Sequence, residues 1–331
     1  SLLKQAGLRV GFPLIESQAG GAGGGITAVT PKGKALMKAY KHFIKESDTF
    51  LKESFIEHFT PFMQKVALPP ALEPLNLHAK EVITFVGSGG KTSLMYLIAN
   101  ALAGAGKRVV ITTTTKIGIP GDERKIRRLL IGDESQLRFK LDSYPILKGE
   151  IVALAGGIVN EKLDSLSADF INDLLEDDVT DYILVEADGS SRKPFKAPAE
   201  HEPPIPPCST LVLYVIGVDC LGNTIDSLHM HRPELISELC GLNEGEVLTA
   251  GAAAEVAMSH LGGKKNVPPK ARWLPVINKV DNESVLEPAI NLAKALIRRG
   301  TSELMLSSTA GDKLMLRHWS RDKTALDNIN K

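Results

Sequence analysis

At 331 residues, with 43% apolar and 24% charged side chains, the chain has room for one large folded domain and a smaller appendage, within the ordinary range for a globular protein. Thirty-nine basic residues balance thirty-nine acidic ones, leaving no bulk charge to draw the chain to nucleic acid or an anionic membrane. Cys208, Cys220 and Cys240 lie too far apart for a disulfide framework or a zinc ribbon, and without a leader pattern or a membrane-length apolar run the expectation is a cytoplasmic chain.

Residues 1–60 read as a small first segment. Ser1 to Gly7 has the pattern of a helix end. Phe12-Pro-Leu-Ile-Glu16 and Ile26-Thr-Ala-Val29 are short extended pieces flanking Gly20-Gly-Ala-Gly-Gly-Gly25, which predicts a hairpin with a glycine tip. Leu36, Tyr40, Phe43, Phe50, Leu51 and Phe55 then recur at helical spacing among lysines and glutamates, predicting a long helix over 35–58. The string Pro13-Leu-Ile-Glu16, the glycine run, Thr30-Pro-Lys-Gly33 and Leu36 resembles the second half of the winged helix-turn-helix of molybdate-responsive (ModE-type) regulators. There a glycine-rich wing leads through Leu-Thr-x-x-Gly into a dimerising linker helix, and Val29-Thr30-Pro-Lys-Gly33 stands at that place here. The resemblance implies a homodimer through 35–58. Most of the recognition helix has no counterpart before the wing, so specific DNA binding is not expected of this chain. Pro61, Pro69, Pro70 and Pro74 mark 61–78 as a proline-rich linker.

Glu81-Val-Ile-Thr-Phe-Val-Gly-Ser-Gly-Gly-Lys-Thr-Ser93 organises the remainder, 79–331. A β-branched apolar run stops at a glycine turn and passes through Lys91-Thr92 into a helical pattern, the order of a phosphate-binding loop. Backbone N–H groups of Gly87, Ser88, Gly89 and Gly90, with the helix start at Ser93, suit an anion. Lys91 suits the β- and γ-phosphates and the Thr92 hydroxyl suits Mg²⁺. Phe85 stands where the longer loop form has its first glycine, so the loop is the short Gly-x-x-Gly-Lys-Thr form, which resembles that of Mur-type ligases.

A second strand, Arg108 to Thr113, ends in threonines of which Thr114 or Thr115 is a candidate Mg²⁺ or phosphate contact. Ile151 to Ala155 reads as a buried strand and Leu163 to Leu175 as a helix. Asp181-Tyr-Ile-Leu-Val-Glu-Ala-Asp-Gly-Ser190 is an apolar strand running into Glu186 and Asp188, a Walker B arrangement that places acids for Mg²⁺ and an attacking water. Its Glu-x-x-Gly spacing resembles the γ-phosphate-sensing element of nickel-insertion GTPases. The proline-rich loop that follows carries Arg192, Lys196, His201 and Glu202, and further on lie His231 and Arg232; these are candidates for meeting an anionic substrate or client. Thr210 to Ile216 is another strand, with helices expected over 233–242 and 251–261. Trp273-Leu-Pro-Val-Ile-Asn-Lys-Val-Asp281 is a strand ending in Asn-Lys-x-Asp. In GTPases the aspartate of that motif reads guanine, the lysine stem covers the base and the asparagine ties the loop to the phosphate loop, giving roles to Asp281, Lys279 and Asn278. After a helix over 286–299, the strand Leu304 to Ala310 is a candidate for a backbone contact to the base.

Val86-Gly-Ser-Gly-Gly-Lys-Thr-Ser-Leu94, Thr112-Thr-Thr-Thr-Lys-Ile117, Val185-Glu-Ala-Asp-Gly189, Lys196-Ala-Pro-Ala-Glu-His-Glu-Pro203, His231-Arg-Pro-Glu234 and Asn278-Lys-Val-Asp281 together resemble the YqeC family over about 80 to 320. The family is described as accessory proteins of selenium-dependent molybdenum hydroxylases, a role inferred from association. The resemblance therefore implies a molybdenum hydroxylase or its maturation machinery as partner. The fold expected is α/β: a P-loop NTPase of the SIMIBI or G-protein kind, with a mostly parallel sheet flanked by helices, plus the partial winged-helix segment. The function expected is Mg²⁺-dependent binding and hydrolysis of GTP, or ATP, in maturation of such a hydroxylase. A kinase-like phosphotransferase on a small molecule and a molybdenum-linked DNA-binding regulator with a nucleotide switch are the alternatives.

Overall fold

The computed structural model describes residues 2–18, 26–59, 68–121, 124–310 and 314–320. The chain divides into two compact units, Ser1–Val66 and Ala67–Lys331.

The first unit holds helix α1 (Leu2–Val10), strands β1 (Ile15–Gln18) and β2 (Ile26–Val29) and helix α2 (Pro31–Phe59). β1 and β2 pair antiparallel with Ile15 opposite Val29, so the hairpin expected from the two extended pieces is present. Its glycine tip lies outside the described residues, as do the side chains of Phe50, Leu51 and Phe55. Thr30 starts α2: its hydroxyl accepts from the Gly33 amide at 2.9 Å and donates to the Pro13 carbonyl at 2.7 Å, with Pro31 at the first helical position, where a missing N–H costs nothing. A Cβ at Gly33 would stand 2.6 Å from the Leu14 carbonyl oxygen, which explains the Thr-x-x-Gly spacing.

The second unit opens with a 3₁₀ turn, Pro70–Leu75, whose Leu72 and Leu75 are fully buried in the core. The linker expected over 61–78 therefore does not extend through this turn: its prolines shape the backbone while its leucines pack. There follow β3 (Glu81–Gly87), α3 (Lys91–Gly104), β4 (Val109–Thr113), β5 (Ile117–Gly118), β6 (Arg128–Ile131), α4 (Glu134–Ser143), β7 (Ile151–Ala155), β8 (Ile158–Val159), β9 (Lys162–Leu163), α5 (Ala168–Glu176) and β10 (Tyr182–Glu186). Beyond these lie β11 (Phe195–Lys196), β12 (Leu211–Gly217), β13 (Met230–His231), α6 (Pro233–Cys240), α7 (Ala250–Met258), β14 (Arg272–Asn278), α8 (Leu286–Arg298), β15 (Glu303–Ser308) and β16 (Met315–Ser320). The helix expected from Leu163 starts later, because Leu163 pairs in β9 and the Ser167 hydroxyl caps α5 by accepting from the Phe170 amide.

Nine strands form one sheet in the order β16-β15-β14-β12-β3-β10-β4-β7-β6. Its neighbours are parallel except for β15 with β16. Strands covered on both faces need apolar residues at successive positions, and β3, β10 and β12 are buried along their whole length. Ile83 and Phe85 face Leu94, Met95 and Ile98 of α3 together with Leu72 and Leu75. On the opposite face Val82, Val110 and Ile183 pack with Leu137 of α4 and Phe170 and Leu174 of α5. Val212, Tyr214 and Ile216 pack with Ile236, Val256, Leu292 and Leu296 of α6, α7 and α8. The mostly parallel sheet flanked by helices is thus the architecture expected. It leaves the carboxyl ends of β14, β12, β3 and β10 side by side at one edge, where open α/β sheets place their ligand crevices.

Candidate functional site

The turn between β3 and α3 is built by close approach. At Gly89, φ is +81° and a Cβ would stand 2.1 Å from the Gly217 amide nitrogen; at Gly90, φ is +109° and a Cβ would stand 2.5 Å from Asn278 Nδ2. Only glycine meets both demands, left-handed backbone and contact with the neighbouring strand ends. Asn278 donates from Nδ2 to the Gly89 carbonyl at 2.8 Å and accepts at Oδ1 from the Ser307 hydroxyl at 2.8 Å. The tie expected between Asn278 and the glycine loop is present, and Ser93 continues α3 behind the loop.

Lys91 is buried. Its Nζ donates to the Gly87 carbonyl at 2.7 Å and lies 3.1 Å from Asp188 Oδ1. Asp188 accepts the Gly87 amide at Oδ2, 3.0 Å, and the same oxygen is 3.1 Å from Lys196 Nζ. Its Oδ1 is buried without a hydrogen bond, so the contact with Lys91 is a Coulombic pair with an acceptor oxygen left unused. A buried carboxylate oxygen in that condition is a place for a cation or a donor. Two positions earlier, Glu186 accepts the Thr92 hydroxyl at 2.7 Å. Burial raises the Glu186 carboxyl above the ordinary range, against the opposing pull of Lys91 and the Thr92 hydroxyl; a divalent cation beside it would compete with a proton for the same oxygens. Thr92, Glu186 and Asp188 could hold such a cation.

A second tier of charge lies behind Asp188. β11 and β13 pair in parallel, setting Lys196 opposite His231. Lys196, 1% exposed, donates to Glu202 Oε2 at 2.8 Å and to the Gly189 carbonyl at 2.6 Å. Arg232 grips both Glu202 oxygens at 2.8 and 2.9 Å. Burial alone would raise the Glu202 carboxyl, but the hydrogen bonds from Arg232 and Lys196 overcome it and hold it down to about 2. Burial, then the charges of Arg232 and Lys196, lower His231 below the ordinary imidazole range.

A family model described as YqeC protein matches residues 83–234. The YqeC protein of Escherichia coli (strain K12) is 33% identical over 221 residues, covering 66% of this chain and 84% of that protein. The chain belongs to the YqeC family. Among solved structures, chloroplast FtsY from Physcomitrella patens aligns over 86% of this chain and 69% of its own. Its TM-score is 0.26 and its identity 14%, too distant a match to define the fold.

In this YqeC-family chain the matched span takes in the glycine loop, Lys91, Thr92, Glu186, Asp188, Lys196, Glu202, His231 and Arg232. Asn278, Lys279 and Asp281 lie beyond it. Asp281 accepts from the Ser308 hydroxyl at 2.5 Å, at the end of β15. Lys279 pairs at 2.6 Å with Asp219, a partner that sequence reading missed, although Asp219 follows β12 at the same sheet edge.

The structure does not bring every candidate together. Thr114 donates its hydroxyl to the Pro204 carbonyl at 2.7 Å, where the proline loop meets the end of β4, and its amide to the Glu186 carbonyl at 3.2 Å. Thr113, fully buried, donates its hydroxyl to the same Glu186 carbonyl. His201 is exposed at a turn, whereas Arg192, exposed with φ +61°, directly precedes Lys193, whose carbonyl accepts from the Ser88 hydroxyl of the glycine loop. Among the described residues no group of three or more His, Cys, Asp or Glu side chains is arranged for a metal ion, and no helix is long and apolar enough to cross a membrane.

Proposed function

We propose that this YqeC-family protein binds a magnesium nucleoside triphosphate, GTP, at the Gly87–Thr92 loop and hydrolyses it. The observation that carries the reading is the convergence of three buried polar side chains at that loop, Lys91 at the start of α3 with Asp188 and Asn278 from the adjoining ends of β10 and β14. Lys91 is the phosphate-binding cation. It rests on Gly87 and Asp188, acceptors that a phosphate oxygen can replace. Thr92 and Glu186 hold Mg²⁺, which supplies charge neutralisation on the phosphate oxygens when bound. Asp188, tied to the Gly87 amide, orients the loop and the attacking water. Asp281 reads the guanine edge, positioned by Ser308, and the Lys279 stem lies along the base. The Ser307–Ala310 segment borders it.

The family's inferred association with selenium-dependent molybdenum hydroxylases supports a client of that kind, with nucleotide state gating its maturation. Lys196, Glu202 and Arg232 are committed to one another in a salt-bridged group. That favours a structural link from the nucleotide site to the client-facing loop over an open acceptor site for a kinase.

Calorimetric titration with GTP and with ATP, each with magnesium, tests the base assignment in wild type and Asp281→Ala. Loss of paired contacts to guanine costs roughly 1.5–3 kcal/mol, tenfold or more in affinity. A preference for GTP that Asp281→Ala removes is the expected result. Equal affinity for ATP, unchanged by the substitution, would sink the base assignment, and turnover stimulated by a metabolite acceptor would replace the hydrolase with a kinase.

A further inference from the structure

Ser190 to Lys193 is a turn closed by the Lys193 amide donating to the Ser190 carbonyl at 2.9 Å. Both central residues, Ser191 at φ +49° and Arg192 at φ +61°, are left-handed. That is the arrangement of a type I′ turn, which asparagine and glycine fill readily and which costs other residues about 1–2 kcal/mol each. A local choice so unfavourable persists only where its surroundings over-determine it. Here they do. The Ser88 hydroxyl, inside the glycine loop, donates to the Lys193 carbonyl. The Gly217 amide donates to the Pro194 carbonyl at 3.2 Å, and Lys193 Nζ donates to the Leu228 carbonyl. The segment is stitched to the phosphate loop on one side and to the Leu228 turn on the other. Arg192 is the residue directly before that stitch, and its side chain has no hydrogen bond or ion pair among the described residues. Lys91, Lys196, Arg232 and Lys279, cations already placed at the site, are each paired with a carboxylate.

We propose that Arg192 is a catalytic residue of the hydrolysis, a guanidinium supplied by the chain itself to the phosphates of the bound triphosphate; the assignment rests on the nucleotide reading above. In the reaction a water oxygen forms a bond to the terminal phosphorus while the bond to the bridging oxygen breaks. The bridging oxygen keeps the electron pair and leaves with the diphosphate, and the water's proton ends on an oxygen of the released phosphate. Negative charge grows on the bridging and terminal oxygens during transfer, and a guanidinium reaching those oxygens from residue 192 would stabilise that charge more than the ground state. Residue 192 thus sits in a left-handed turn whose next residues are tied to the phosphate loop and to the Leu228 carbonyl.

The test measures phosphate release from magnesium GTP, and equilibrium GTP binding, for the full chain and Arg192→Gly. Glycine takes the left-handed turn without strain, so this variant removes the guanidinium and keeps the loop. A cation of this kind contributes 10³–10⁵ in turnover where it has been measured, so the expected result is a fall of about a hundredfold or more, with affinity within about threefold. Guanidinium ion added to the solution should restore part of the rate to Arg192→Gly and none to Lys91→Ala, a rescue that a purely structural arginine would not show. Turnover of Arg192→Gly within about threefold of wild type overturns the assignment, as does a parallel loss of binding and rate without rescue, or a wild type that binds GTP and does not turn it over. A wild type that binds no triphosphate overturns the nucleotide reading itself.

Discussion

Replacing Glu202 with glutamine keeps the shape of the side chain and removes the negative charge that Lys196 and Arg232 share. Held at about 2 instead of the ordinary 4.5, the carboxylate gains at most about 3 kcal/mol from folding, at about 1.4 kcal/mol per tenfold. The side chain is only partly shielded from water, so solvent screening reduces that to about 2 kcal/mol. Lys196 keeps Asp188 and the Gly189 carbonyl in the variant, which argues against the larger loss seen when a buried ion is left alone. For a unit of this size 2 kcal/mol corresponds to about 4–8 °C in Tm. The sign with pH follows from the depressed value. The contribution is complete above 4.5 and is lost as pH falls toward about 2, so the gap in Tm between wild type and Glu202→Gln should be full at pH 7 and more than half closed at pH 3. Differential scanning calorimetry at the two pH values measures it. Equal Tm values at pH 7, or a gap of the same size at pH 3, would refute the reasoning.

Asn278→Ala removes the bond to the Gly89 carbonyl and leaves the Ser307 hydroxyl without its acceptor. We expect a stability loss of about 1–3 kcal/mol in urea unfolding together with weaker nucleotide binding, because both effects pass through the same buried amide. The homodimer proposed through 35–58 is testable on the exposed apolar face of α2, where Tyr40 and Phe43 are each 63% exposed. Tyr40→Glu with Phe43→Glu should lower the mass measured by light scattering to that of one chain; an unchanged mass would place any dimer contact elsewhere.

The glycine loop, the acidic strand and the Asn-Lys-x-Asp strand were legible in sequence because each is a local pattern: an apolar run that stops at residues of one chemical kind. What joins them was not. Lys196, Glu202 and Arg232 meet across separations of six and thirty residues through the short β11–β13 pairing, and two-residue strands leave no periodicity to read. The same limit hid β6 and β16, whose edge positions and mixed exposure blur the alternation. Thr114 shows a different limit. A threonine at a strand end beside a phosphate loop is a metal-contact candidate by position, but that its hydroxyl donates to the Pro204 carbonyl depends on the path of the proline loop, which no local pattern carries. The 3₁₀ turn at Pro70–Leu75 was hidden by its own prolines, which signal a linker by composition while Leu72 and Leu75 are drawn into the core by burial.

The most direct measurement on the central claim is calorimetric titration of magnesium GTP into wild type and Lys91→Ala. Lys91 is buried at the loop with Gly87 and Asp188 as its contacts, and a charge-assisted contact to phosphate lost with a buried carboxylate left behind is worth about 3 kcal/mol, roughly a hundredfold in affinity. The account predicts saturable binding of one nucleotide by wild type and its loss by that margin in Lys91→Ala. Absence of binding by wild type, or equal binding by both proteins, would contradict it.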